Sequence, residues 1–146
     1  MDFKLTEEQE AMREMAKNFA EKKIAPTMEE DEKEHHFRRE IVKEMARLGF
    51  FGCIAPEKYG GNESGYLAAS VMTEEIARIS PSWGLPFNLQ MNSIQSVLLA
   101  FGTEEQRERW IPKLINADLL GCFAITEPNT GADVASMKST AQEVEG

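Results

Sequence analysis

Between Arg78 and Glu104 the chain carries not one Asp, Glu, Lys or Arg, although 28% of its 146 residues are charged. A helix that is apolar on every side has to be a buried one. The segment from Leu85 or Phe87 to Phe101 reads as that helix, and Gly102 closes it. The rest of the fold must then be arranged to cover it, which predicts a helical bundle with this segment at its centre.

The flanking sequence supplies the cover. Thr6-Glu7-Glu8-Gln9 is a capping box, followed by Met12, Met15, Ala16, Phe19 and Ile24 at helical spacing. That first helix ends before Pro26, because a residue preceding proline avoids the α region. Pro26 opens a short second helix through the acidic stretch Glu29 to Glu34, a solvated face. His35-His36 reads as a surface turn, since no further ligands at metal-binding spacing accompany the pair. A third helix spans about Arg38 to Leu48, with Ile41, Val42, Met45 and Leu48 inward and Gly49 as its C-terminal cap. Phe50 to Gly61 reads as a buried extended piece leading to a glycine turn. Tyr66 to Ile79 is a fourth helix with Leu67, Val71, Ile76 and Ile79 apolar; Glu74-Glu75 ahead of Arg78 allows an i,i+3 or i,i+4 pair. Ser80-Pro81-Ser82 ends it. After the central fifth helix, Thr103-Glu104-Glu105-Gln106 is a second capping box, opening a sixth helix to about Ile115 with Trp110, Ile111 and Leu114 inward.

The formal charge of −9 disfavours nucleic acid and anionic membrane surfaces as partners, since both require a positive face. No apolar run approaches membrane-spanning length, so no membrane insertion is expected. The start, Met1-Asp2-Phe3-Lys4-Leu5, has neither a basic nor an apolar leader segment. Cys53 and Cys122 both sit among apolar neighbours and read as small buried residues of a reducing compartment, not as a disulfide, metal site or nucleophile. Asn62-Glu63-Ser64 matches a glycosylation sequon by chance. No metal site is expected.

After Leu119 the period changes. Leu119 to Ile125 is an apolar run that reads as a strand and stops at Thr126-Glu127-Pro128; a second strand is expected from near Ser139. Asn129, Thr130, Gly131, Ala132 and Asp133 form a loop of small and turn-forming residues. Such a loop lets a flat or anionic ligand approach main-chain N–H groups. The expected architecture is mainly α: about six helices over 1–118, then the first strands of a β domain over 119–146. The chain reads as ending inside that second domain.

Three stretches carry a resemblance. Cys122-Phe-Ala-Ile-Thr-Glu-Pro-Asn-Thr-Gly-Ala-Asp-Val-Ala-Ser-Met137 resembles the flavin-contacting signature of the acyl-CoA dehydrogenase family, in the wording of its glutaryl-CoA dehydrogenase branch. Gly49 to Gly61, with Pro56, Tyr59, Gly60 and Gly61, resembles a second family pattern, and Gly102 to Leu114 a third. The resemblance covers essentially the whole chain. It implies a helical N-terminal domain, an FAD cofactor, an acyl-CoA substrate, an electron-transfer flavoprotein or similar acceptor, and a homotetramer. It implies a cytoplasmic protein in a bacterium, or a matrix protein with a removed presequence in a eukaryote. It assigns Phe123, Ile125, Thr126, Gly131 and Ala132 to the flavin, with the Thr126 hydroxyl as the sharpest assignment. A strand-end turn is the alternative for that hydroxyl. The family's catalytic base, a Glu, belongs to a C-terminal domain, so no catalytic residue is assigned in this chain, which alone is expected to be inactive.

Two departures bear on the substrate. Where the glutaryl branch has Ser after the loop glycine, this chain has Ala132, which keeps a backbone donor and loses a hydroxyl. Where that branch carries an Arg-Ser pair for the free carboxylate of its substrate, this chain has Gly84-Leu85. A carboxylate taken into an apolar pocket needs a partner or costs several kcal/mol. Gly84, Leu85, Leu89 and Ala132 are therefore read as facing an uncharged acyl group, cyclic or aliphatic. The branch's cyclohexane- and cyclohexenecarboxyl-CoA dehydrogenases are the leading suggestion. The alternatives are core packing for Leu85 and Leu89, glutaryl-CoA dehydrogenase proper, another reaction on the same fold (oxidase or desulfinase), and a cofactor-free helical interaction module.

Overall fold

The computed structural model describes residues 4–144; Met1, Asp2 and Phe3, which the leader reading used, and residues 145–146 lie outside them. The described chain is a bundle of helices: α1 (Glu7–Phe19), α2 (Met28–Glu34), α3 (Arg39–Arg47), α4 (Gly65–Ile79), α5 (Pro81–Asn88), α6 (Ile94–Phe101) and α7 (Glu104–Ile115). A π turn, Ala20–Ile24, prolongs α1 to the residue before Ala25, and a second, Leu89–Ser93, fuses α5 and α6 into one rod. Counted as rods these are the six helices expected.

Both capping boxes form. Gln9 N donates to Thr6 Oγ1 at 3.2 Å, and the Gln9 side chain accepts from Thr6 N at 3.0 Å. At α7 the same exchange links Gln106 and Thr103 at 3.3 and 2.8 Å. Arg78 pairs with Glu75 at 3.0 Å and reaches Glu21 on α1 at 3.4 Å, so the i,i+3 alternative is the one used.

The core is aromatic. Phe50 meets Phe19 and Phe87 edge-on, with ring centroids 5.5 and 6.1 Å apart, and Phe51 leans on Phe87 at 5.6 Å. Such pairs add modestly to what burial of the rings already contributes. Met45, Met72, Ile76 and Met91 fill the space around them, all buried. α1 lies against α4 and α4 against α5.

Several expectations need correction. Phe50 to Gly61 is not extended: it makes two 3-10 turns, Phe50–Gly52 and Glu57–Tyr59, and its aromatic residues enter the core from these turns. The central rod begins at Pro81, not at Leu85 or Phe87. Proline's fixed φ suits the first helical position, so Ser80-Pro81 starts a helix as readily as it ends one. The rod is buried only in its first half. Beyond the π turn, Gln95 is fully buried but Val97 is 45% and Phe101 85% exposed. Leu48, expected inward, is exposed, as are Leu67 and Met15 among the apolar positions at helical spacing. Cys53 is buried as expected, but Cys122 is exposed, because the segment carrying it lies on the surface.

The strands are absent among the described residues. Residues 119–126 carry no regular structure, and an isolated antiparallel bridge joins Glu127 to Thr130. A strand needs a neighbour to satisfy its main chain, and none of the described residues supplies one. The expected strand from Ser139 likewise shows no regular structure through Val144. Among the described residues, no helix is long and apolar enough to cross a membrane.

Candidate functional site

The site is organised by an amide that the sequence reading passed over. Gln90, in the π turn, is buried. Its Nε2 donates to the carbonyls of Leu114 and Leu119, both at 2.8 Å, and its Oε1 accepts from Gly121 N at 2.9 Å. One side chain thus ties the end of α7 and the start of the 119–126 segment to the central rod. Gly121 has to be glycine here: a Cβ would lie 2.5 Å from Ile94 Cγ1. Gln95 makes a parallel tie, donating to Phe51 O at 2.9 Å and to Gln90 O at 3.2 Å. The clue was present in the sequence, since an amide inside a charge-free helix must find buried partners.

The segment so held closes one side of an apolar cleft of about 320 Å³. Trp83, Leu85, Phe87 and Leu89 form one wall, Phe37, Val42 and Met45 another, and Leu120, Cys122 and Phe123 the third. Among the described residues, no Asp, Glu, Lys or Arg lines it. Clefts of this size and apolarity suit small ligands with an alkyl or ring portion.

The structure brings Leu85, Leu89 and Phe123 together around this cleft. Leu85 stands at its rim, 62% exposed, and Phe123 is about half exposed. Gly84 does not line it. It is buried against α4, where a Cβ would come within 2.5 Å of Ala77 Cβ, so its role in the fold is to let two helices approach. Ile125, Thr126, Gly131 and Ala132 lie beyond the cleft on the exposed continuation of the same segment.

That continuation has internal order. Thr130 Oγ1 donates to Asp133 O, and Ser136 Oγ donates to the Asp133 carboxylate. The Glu127 carboxylate accepts from Ser139 N at 2.7 Å and Lys138 N at 2.9 Å. Hydrogen bonding from Ser139, then from Lys138, holds the Glu127 carboxyl below its ordinary 4.5. Glu127 is therefore a loop clasp: its lowered pKa makes it a weaker base, and its oxygens are already occupied by the loop's N–H groups. Between Cys122 and Thr126, among the described residues, no main-chain group bonds to the rest of the chain. A Cβ on Gly131 would meet nothing within 4 Å. Main chain with unpaired groups next to an unobstructed glycine loop fits a flat ligand laid along it.

The match to known proteins is extensive. The family model for the acyl-CoA dehydrogenase N-terminal domain matches residues 6–118. Glutaryl-CoA dehydrogenase of Desulfococcus multivorans is 41% identical over 146 residues, covering 98% of this chain and 38% of that protein. Mitochondrial isovaleryl-CoA dehydrogenase of Pongo abelii is 38% identical over 141 residues, covering 95% of this chain and 33% of that protein. Among solved structures, a glutaryl-CoA dehydrogenase in complex with glutaryl-CoA superposes with a TM-score of 0.89 at 41% identity, covering 94% of this chain and 35% of that one. The chain thus spans little more than a third of the length of such relatives.

Proposed function

The chain belongs to the acyl-CoA dehydrogenase family, and on that premise we propose that it is the N-terminal part of an FAD-dependent dehydrogenase acting on an uncharged acyl-CoA. The observation that carries the proposal is the cleft, with Leu85 and Leu89 on the central rod facing Phe123 on the segment that Gln90 holds. On this reading the helical domain ends near residue 118, and residues 119–126 become an edge strand of a following β domain.

In that arrangement Trp83, Phe87 and Leu89 pack the acyl chain. Phe123, Ile125, Thr126, Gly131 and Ala132 hold the flavin, Thr126 through its hydroxyl and Ala132 through its main chain. FAD, when bound, supplies the acceptor for the β hydride. The α proton goes to a carboxylate that the described residues do not bring to the cleft. Electrons then pass to a separate flavoprotein, and the enzyme is a homotetramer of the cytoplasm or the mitochondrial matrix. Gly84 acts on the substrate indirectly, by setting the rod against α4 where a larger side chain would push it away.

The absence of a cation from the cleft lining supports a ring or aliphatic acyl group over a dicarboxylic one, because a buried carboxylate would be left unpaired. The 41% likeness to glutaryl-CoA dehydrogenase favours the second reading, glutaryl-CoA itself. The full-length protein is expected to purify yellow and to lose its visible flavin absorbance anaerobically when an uncharged acyl-CoA is added. A colourless protein that takes up no FAD would overturn the proposal and leave a helical interaction module.

A further inference from the structure

One end of the apolar cleft is closed by a pair of rings and not by packed core. Phe37 and Trp83 stack with centroids 4.9 Å apart and planes inclined by 23°. Both rings line the cleft, and both also line a second hollow of about 170 Å³ on their far side. That hollow is mixed in character, lined by Met28 and the outer faces of the two rings as well as by Asp31, His36, Ser80 and Ser82. The two rings are held differently. Trp83 is buried in α5, whereas Phe37 is 42% exposed on the link between α2 and α3. The link is fixed by charge: Arg38 Nε donates to both Asp31 carboxylate oxygens at 2.8 Å, and His36 Nδ1 lies 3.4 Å from the same group. The Phe37 ring is therefore a thin partition, placed by its neighbours' ion pair, between the apolar cleft and the mixed hollow behind it.

We infer that Phe37 is the end wall that sets the length of acyl group the cleft accepts, with Trp83 as its rigid backing. The inference rests on the cleft being the acyl site. An acyl chain that outgrows the cleft has to unstack the ring before further methylenes can be buried, so it gives up the ring contact and gains no apolar surface in exchange. Truncating the ring joins the two spaces and gives the longer chain somewhere to lie. Because Phe37 is partly exposed and outside the aromatic core, its replacement leaves the bundle's packing in place.

The test uses the full-length, flavin-loaded protein. The ratio kcat/KM is measured for butyryl-, hexanoyl-, octanoyl- and decanoyl-CoA with the unaltered chain, Phe37→Ala and Phe37→Leu. The octanoyl-to-butyryl ratio is expected to rise about tenfold or more in Phe37→Ala, the discrimination one or two methylenes carry in an apolar pocket. Phe37→Leu is expected to fall between. An equal loss at every chain length, with the ratio unchanged in both variants, would overturn the inference and leave Phe37 a packing residue. An unaltered protein whose flavin no acyl-CoA reduces would instead overturn the acyl reading of the cleft, and the end wall with it.

Discussion

At the scale of single residues, two buried side chains make opposite demands. Gln90 satisfies two carbonyls and one N–H at once, from a side chain that is itself buried. Gln90→Leu keeps the volume and strands all three groups, which is expected to cost about 2–4 kcal/mol. Denaturant unfolding measures the loss, and amide exchange at Gly121 should rise with it; an unchanged midpoint would mean that water replaces the amide. Cys53 makes the other demand. Burial pushes its thiol up from 9.0 to about 11. The folded chain then holds a proton that the unfolded chain releases, so the contribution is complete below pH 9.0 and lost as pH rises toward about 11. Stability of the unaltered chain is expected to decline across that window, and Cys53→Ala should remove this part of the decline, measured as unfolding midpoint against pH. Glutamine and cysteine in apolar runs are visible in the sequence; the partners Gln90 finds lie 24 or more residues away, and so were not.

At the scale of elements, the caps were the most legible feature. Thr103 opens α7 with both capping-box bonds, and Thr103→Ala is expected to cost about 1 kcal/mol, read as a lowered denaturant midpoint with unchanged slope. Helix starts are legible because capping is local: four residues contain both partners. The central rod shows the limit of local reading. Its lack of charge correctly marks the buried half, where Trp83, Phe87, Gln90 and Met91 enter the core. The same lack of charge continues through Val97 and Phe101, which the described residues leave exposed. Composition reports that a surface is apolar, and says nothing of which surface covers it. Its starting point was missed because Pro81 can stop one helix and open the next, and here it does both. A glycine turn was expected at Gly60-Gly61, but the closeness of its contact was not legible. A Cβ on Gly61 would stand 1.8 Å from Ala55 O, so Gly61→Ala is expected to destabilise by about 3 kcal/mol or more. A soluble variant with an unchanged melting point would contradict that geometry.

At the scale of the whole molecule, the fold puts three residues from distant parts of the chain around one cleft. Leu85 and Leu89 come from the central rod, and Phe123 comes from the segment after α7. The family signature pointed to Phe123, and a departure from the glutaryl branch at Gly84-Leu85, with the apolar turns after it, pointed to Leu85 and Leu89. The enclosure itself was not legible, because Phe37, Val42 and Met45 arrive from α3 and the link before it with no signature beyond helical periodicity. Gly84 was read as facing the acyl group, but its contact is with Ala77 on α4. The strands expected after Leu119 do not form among the described residues, which supply them no partner, so that part of the expectation is carried by the proposal alone. The central claim is that the cleft accepts an uncharged acyl group. The most direct measurement is anaerobic flavin reduction in the full-length protein, with cyclohexanecarboxyl-CoA, butyryl-CoA and glutaryl-CoA added separately. Rapid bleaching by the ring or the aliphatic thioester, with little by glutaryl-CoA, is the predicted result. Bleaching chiefly by glutaryl-CoA would contradict it, and would mean that a cation from outside the described residues reaches the cleft to pair the carboxylate.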